Sequence, residues 1–309
     1  MILRFREGIN KTCYYPRMPD PLGLIAGEGI FPLLVARGAR AAGKRVVCVG
    51  LRGSAWPDVE KECDEFHWVG VTRLGQWIRK LRAAGVREAI MVGRVTKTRM
   101  YRRAALLQYI PDVRTARLFV SRIRHDKRPG AILNAIADEL AKEGITLIDS
   151  TIYTPDQLTT AGVLTKRQPT EKQMADAQFG WELCQKLSRL DIGQAIAVLD
   201  KDVIAVEAIE GTNNMIDRAG TLCKTGGWTL IKVANSQQDM RMDVPTIGIT
   251  TIEKLAAAKA ACVVLEVGKT VLLEKQKVLE LADRYKIAIV GMTNDSGRMT
   301  NDQTRMTNE

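Results

Sequence analysis

From Leu22 onward the chain repeats one device: a short apolar run, a glycine-bearing turn, then an amphipathic stretch. LGLIAGEG leads into PLLVARGARAAG, RVVCVGL follows, and the helical pattern Leu74–Ala84 ends at Gly85 before EAIMVGRV. Strands buried on both faces read as unbroken apolar runs, and parallel neighbours need helical crossovers. The alternation therefore predicts a parallel, doubly wound sheet. Pro32 suits a first helical turn and Gly85 a helix end. A helix over Ala131–Glu143, stopped by Gly144, and the strand ITLIDS extend the pattern.

The texture changes to Thr, Pro, Gly and basic residues around Thr154–Thr170, which reads as a linker. Beyond it a helix over Glu171–Ser188 precedes two strands joined at Asp200-Lys201-Asp202, a hairpin signal. A helix near Thr212–Ala219, the strand TLIKVA, a helix over Ile252–Ala260 and the strand ACVVLEV come next. A second hairpin through Gly268-Lys269, a helix to Arg284 and the strand IAIVGM complete the pattern. The expected fold is α/β: a Rossmann-like parallel-sheet domain over 21–153, a linker over 154–170 and a distinct mixed α/β catalytic domain over 171–292. Residues 1–20 read as an extension and 293–309 as a polar tail.

Either half of 309 residues can bury its own core. Six cysteines form no C-x-x-C pair, and Cys48 and Cys262 sit in apolar runs as small core residues, a pattern suited to a reducing cytosol. Two histidines leave little room for a His-rich metal site. No apolar run approaches the ~18 residues of a membrane span, and the amino-terminal stretch lacks a secretory leader's apolar core. The net charge of +11 is concentrated: between Arg94 and Arg128 stand eleven Lys or Arg against Asp112 and Asp126. Such a segment attracts phosphates, nucleic acid or an acidic membrane face, or is a solvated basic surface.

Four strings carry chemistry. Gly27-Glu28-Gly29-Ile30-Phe31-Pro32 joins a strand to a helix, where glycine admits a phosphate to the helix N-terminus or simply makes a tight turn. Pro32 replaces the third glycine of a dinucleotide fingerprint and no acid closes VVCVGLRG, which disfavours NAD. Gly93-Arg94 ends the next strand-like run, at the edge where such sheets bind ligands. Glu207 and Ile209 would share one strand face, and Glu210-Gly211-Thr212 opens a helix that Thr212 would cap or whose start would cradle a phosphate beside a carboxylate. In Arg241-Met242-Asp243-Val244-Pro245-Thr246-Ile247-Gly248, Pro245 stiffens a turn, Thr246-Ile247-Gly248 completes a tight loop, and Asp243 either holds a divalent cation and its water or bonds its own loop.

In order, GLIAGEGIFP, MVGRV, LTKRQPT, SRLDIGQA, VIAVEAIEGTNNMI and DMRMDVPTIG resemble the LpxI-type UDP-2,3-diacylglucosamine diphosphatase family over about Leu22–Met292. The resemblance implies hydrolysis of UDP-2,3-diacylglucosamine to UMP and 2,3-diacylglucosamine 1-phosphate in lipid A synthesis, by water attack at the α-phosphorus with a divalent metal, usually Mg²⁺. It implies Asp243 as the catalytic carboxylate and candidate metal ligand, with Glu210 a weaker ligand candidate. Gly29, Ile30, Gly93, Arg94, Gln194, Glu210, Gly211 and Thr212 would bind substrate. Asn235-Ser236 stands where the family has Lys-Pro, so Lys232 becomes the nearest substitute phosphate contact. The stretch Arg124–Gly130 is basic where the family is often acidic, leaving Asp126 as the one stand-in. The implied partners are a lipid-linked UDP-sugar and the anionic inner leaflet, with the protein in the cytoplasm and peripheral to the inner membrane; a homodimer is also implied.

Two other classes compete. A non-catalytic nucleotide-sugar binder would hold the substrate without releasing UMP. A nucleic-acid binder would use the basic segment, but aromatics make up 5% of the chain, and few stacking platforms interleave it, so no nucleic acid is expected.

Overall fold

A computed structural model describes residues 20–95, 110–234, 241 and 244–294. The amino-terminal half is a five-stranded sheet built from β1 (Leu22–Ala26), β2 (Val46–Leu51), β3 (Glu65–Val69), β4 (Glu88–Val92) and β5 (Thr146–Leu147). Their order is β3-β2-β1-β4-β5 and every pairing is parallel. Helices α1 (Phe31–Ala41), α2 (Leu74–Ala83), α3 (Val113–Leu118) and α4 (Pro129–Ala141) cover it. Two apolar layers result: Ile25, Val47 and Val49 face α2 and α4 residues such as Trp77, Leu81 and Leu140, while Leu24, Val46 and Cys48 face α1 through Val35 and Ala39. This is the expected doubly wound sheet, with the strand order of a Rossmann fold. The strand β3 is an addition to the elements that the sequence pattern announces. It is an edge strand, and EFHWV keeps its polar residues half exposed, so it lacks the unbroken apolar run that marks its neighbours.

The second half holds a six-stranded sheet in the order β6-β13-β11-β9-β7-β8. Its members are β6 (Gly162–Val163), β7 (Ala195–Leu199), β8 (Asp202–Val206), β9 (Thr229–Lys232), β11 (Cys262–Glu266) and β13 (Ala288–Met292). A separate two-stranded sheet pairs β10 (Thr246–Ile247) with β12 (Val271–Leu272). Helices α5 (Glu171–Arg189), α6 (Thr212–Leu222), α7 (Ile249–Ala257) and α8 (Lys275–Arg284) complete the layer arrangement. Thr170 and Gln173 form a reciprocal capping box that starts α5. Asp200 and Lys201 adopt positive φ and turn β7 into β8, the hairpin expected from Asp200-Lys201-Asp202.

Four local readings are corrected. No second hairpin forms at Gly268-Lys269: β11 already has parallel neighbours β9 and β13 on its two edges, so β12 crosses to β10 instead. Thr246-Ile247 is strand rather than loop, and Gly248 precedes α7. Thr212 is the first residue inside α6; Gly211, at φ 78°, is its N-cap. The strand alternation ends at Val206, so Glu207 is buried while Ile209 is fully exposed.

The stretch 154–170 holds a 3₁₀ turn at Pro155–Gln157 and contributes β6 to the edge of the second sheet. Thr159 exchanges backbone hydrogen bonds with Thr270 and Gly268, and Leu158 bridges Val271. Val271 is part of the apolar layer under α1, and Val244, Leu158 and Leu273 pack against it. The two halves thus share a hydrophobic contact built largely from the chain between β10 and α8.

Candidate functional site at the carboxyl edges of the two sheets

In the first sheet the strand order reverses between β1 and β4, and a ligand crevice is expected beyond their carboxyl ends. The two motifs read from the sequence meet there. Gly27 donates to the Val92 carbonyl at 2.8 Å, and Glu28 and Arg94 exchange backbone hydrogen bonds at 2.8 and 3.0 Å. Gly93, an expected substrate contact, has the space beside its Cα filled by the backbone of Gly27, since a Cβ on Gly93 would lie 2.6 Å from the Gly27 carbonyl carbon. Gly29 is different: its φ is 113°, and the space that a Cβ would occupy is open, with nothing within 4 Å. Ile30 is the N-cap of α1, and Arg94 is exposed.

In the second sheet β8, β9, β11 and β13 all end on one edge, where antiparallel β7 begins. Lys232 closes β9 beside Ala195 and Leu265 and is only 4% exposed. Its Nζ donates to Thr212 Oγ1 at 2.7 Å, and Thr212 Oγ1 donates to Glu207 Oε1 at 2.8 Å. The single hydroxyl proton of Thr212 is thereby committed to the carboxylate, so the lysine must be the donor in the first bond. Glu207 Oε2 is buried with no hydrogen-bond partner, and Gln194 Oε1 is in the same state. Unpaired buried oxygens cost stability and call for an explanation such as a ligand. Gly193 lets the 190–194 loop lie directly on Glu207, because a Cβ there would fall 1.9 Å from the Glu207 carbonyl oxygen.

Glu266, at the end of β11, accepts from Ala234 N at 2.8 Å and pairs with Lys269 at 2.7 Å. Cys184 lies beneath this edge on α5, its Sγ against the Gln194 and Ile231 carbonyls, and burial is what chiefly pushes its thiol up to about 12. Burial has the same effect on Cys262, also to about 12. Both thiols are expected to resist a thiol-specific disulfide reagent at mildly alkaline pH in the native protein and to react on denaturation, as mass spectrometry of labelled peptides would reveal. Fast labelling of either one in the native state would contradict this packing.

Glu210 sits apart from the Lys232–Thr212–Glu207 chain. Arg218 holds its Oε1, the Ala208 amide reaches its Oε2 at 3.2 Å, and the Arg218 contact keeps its carboxyl below the usual range. Its carboxylate therefore fastens the turn leading to Gly211 and Thr212. Among the sequence-predicted residues the structure brings together Gln194, Thr212 and Lys232 here and Gly29, Ile30, Gly93 and Arg94 at the other sheet. Asp243 lies outside the described residues, as do Asn235 and Ser236; its neighbour Val244 packs at the contact between the halves. Glu207 is the site residue that the sequence reading misses. Its signal is an acid directly after an apolar strand, but the expected strand alternation pairs it with exposed Ile209.

A divalent cation needs hard oxygen ligands. Among the described residues no three His, Cys, Asp or Glu side chains gather as a ready cation site. Glu207 Oε2 is the buried unpaired carboxylate oxygen among them, and it fits one ligand of such a site.

Fold and edge chemistry together define a two-domain α/β enzyme with polar groups crowded at the carboxyl ends of its sheets. The chain belongs to the LpxI family: the LpxI N-terminal domain model matches residues 21–157 and the LpxI C-terminal domain model residues 160–290. It is 31% identical over 279 residues to the UDP-2,3-diacylglucosamine pyrophosphatase LpxI of Caulobacter vibrioides, a match covering 88% of this chain and 97% of that protein.

Proposed function

We propose that this chain hydrolyses the pyrophosphate of UDP-2,3-diacylglucosamine, releasing UMP and 2,3-diacylglucosamine 1-phosphate for lipid A synthesis. The observation that carries this reading, beside family membership, is the Lys232–Thr212–Glu207 chain with unpaired oxygens of Glu207 and Gln194 on the same sheet edge. Lys232 would donate to a phosphate oxygen and stabilise the charge that grows there as the P–O bond breaks. Thr212, its proton held by Glu207, fixes the direction of that ammonium. Gln194, whose side-chain oxygen is unpaired, would take a hydrogen bond from substrate or the attacking water. Asp243 would orient the water toward the α-phosphorus. A divalent cation held by Glu207 and Asp243, expected to be Mg²⁺, would neutralise pyrophosphate charge. The acyl chains would place the working enzyme at the inner face of the bacterial inner membrane.

The test is UMP release from UDP-2,3-diacylglucosamine dispersed in detergent, with Mg²⁺ and with EDTA. Wild type should release UMP and lose the activity on chelation. Substrate binding without UMP release would sink the hydrolase reading in favour of a nucleotide-sugar binder, and activity that survives EDTA would remove the cation from the scheme.

A further inference from the structure

The basic segment is not uniform. Arg114 pairs with Glu139 and Glu143, Arg122 with Asp138, and Arg128 with Asp126, so these cations are already neutralised. Arg117 and Arg124 have no carboxylate partner among the described residues; the Arg124 side chain meets only His125 Nε2, at 3.0 Å.

The helix that carries them is fixed by its inner side. Asp112 caps α3 by accepting from Thr115 N at 2.9 Å, and its other oxygen accepts from Gln76 N at 3.3 Å. Thr115 Oγ1 accepts from Leu74 N at 3.0 Å, and Leu118 enters the core. These bonds tie α3 to the first turn of α2, which follows β3, so α3 stands on the carboxyl edge of the first sheet. A π turn at Phe119–Ile123 continues it. Positions three, four and seven apart share a helix face. Val113, Ala116, Arg117 and Val120 have that spacing, and Val113 and Val120 are 78% and 53% exposed; Phe119 beside them is 47% exposed. An anchored helix thus presents large apolar side chains outward, next to unneutralised arginines.

The carboxyl edge of the second sheet also exposes apolar groups, with Arg189 and Asp191 beside them. Ile209 is fully exposed, and Leu190 is 68% exposed, at the carboxyl edge of the second sheet. Among the described residues no helix is long and apolar enough to cross a membrane.

We propose that the outer face of α3 and its π turn docks this protein on an anionic lipid surface, Phe119 and Val120 entering the headgroup boundary and Arg117 and Arg124 meeting lipid phosphates. Charge complementarity selects this occupant: cations without partners beside protruding apolar groups match an anionic interface, where each attraction adds to the other. The assignment deepens the proposed function, because it turns the carboxyl edge of the first sheet toward the leaflet that would hold a diacylated substrate. It is measured without that substrate.

The experiment is co-sedimentation of the full chain with vesicles of phosphatidylcholine alone or mixed with phosphatidylglycerol. Wild type should prefer the anionic vesicles, and added salt should weaken the binding. Arg117→Ser with Arg124→Ser should weaken it about thirtyfold, near the effect of two lost surface cations. Phe119→Ser with Val120→Ser should weaken it about tenfold. UMP release from detergent-dispersed substrate should stay at wild-type level in both, which also shows that they fold. Undiminished vesicle binding in the arginine pair overturns the proposal. So does a wild-type dimer that the Phe119/Val120 pair converts to monomer in light scattering, since a second copy would then cover the face. Preferential transfer from anionic vesicles to duplex DNA at equal salt also overturns it. Vesicle binding without UMP release from wild type would leave the docking face standing and refute the hydrolase reading alone.

Discussion

Lys232→Met is expected to slow UMP release by about a hundred- to thousandfold, the range seen when one preorganised donor to a developing negative charge is removed. Methionine nearly keeps the length and apolar stem of lysine, so it tests the ammonium rather than the packing around Ala195 and Leu265. The change also removes the donor that Thr212 Oγ1 accepts and leaves the buried Glu207 carboxylate beside it with less compensation. Removing one member of a buried charged group is expected to cost about 3 kcal/mol of stability. A second substitution separates the two effects. Glu207→Gln removes the charge left behind while keeping an oxygen for the Thr212 hydroxyl, so the double variant should recover most of the stability lost by Lys232→Met and none of the rate. Denaturant melts and UMP release measured on both variants decide the matter. A Lys232→Met enzyme with near-normal turnover would remove the lysine from phosphate contact. Asp243→Ala should lose rate to a comparable degree.

The contrast between Lys232 and Glu207 shows what the sequence could and could not reveal. Secondary structure was legible wherever local chemistry agrees with the fold. VVCVGL reads as a buried strand, Glu171–Ser188 reads as a helix, and Asp200-Lys201 announces a hairpin. It was illegible where the answer depends on neighbours distant in sequence. Nothing local in Val271-Leu272 says that both edges of β11 are already occupied, so its departure to pair with β10 cannot be read from the turn before it. Likewise EFHWV becomes a strand because the edge of β2 is open, not because it carries a strong apolar pattern. The site divides in the same way. Thr212 was reached through a string that resembles a family and Lys232 as the nearest substitute where that family's Lys-Pro is missing, and the structure joins them at 2.7 Å. Glu207 is defined by burial and by an unpaired oxygen, properties that exist only once α6 and β9 have come together. The basic segment was legible as charge but not as a surface, because charge counts do not show which arginines Glu139, Glu143 and Asp138 neutralise.

Gly93→Ala is expected to destabilise the first domain by about 3 kcal/mol and lower its melting midpoint by about 10 °C, through two costs that can be measured apart. The first is conformational: Gly93 has φ 92°, outside what a Cβ tolerates comfortably. The second is steric: the added Cβ would lie 2.6 Å from backbone carbon of Gly27, which has no rotamer by which to move away. Gly85→Ala isolates the first cost, since its φ is 80° and nothing lies within 4 Å of the new atom; about 1 kcal/mol is expected. Gly27→Ala isolates the second, because its φ is not in the left-handed region yet its Cβ would meet Gly93 at 2.7 Å; overpacking of about 1–3 kcal/mol follows. If the tight glycine contact exists chiefly for stability, the three variants will differ in melting and release UMP alike at low temperature. If it exists to hold the crevice between β1 and β4 in shape, Gly27→Ala and Gly93→Ala will also raise KM, because both force apart the backbone bridge between Glu28 and Arg94, whereas Gly85→Ala will not. The second outcome is expected: the bridge lies at the switch point where a nucleotide would rest, and a displacement of its carbonyls moves the crevice wall with it.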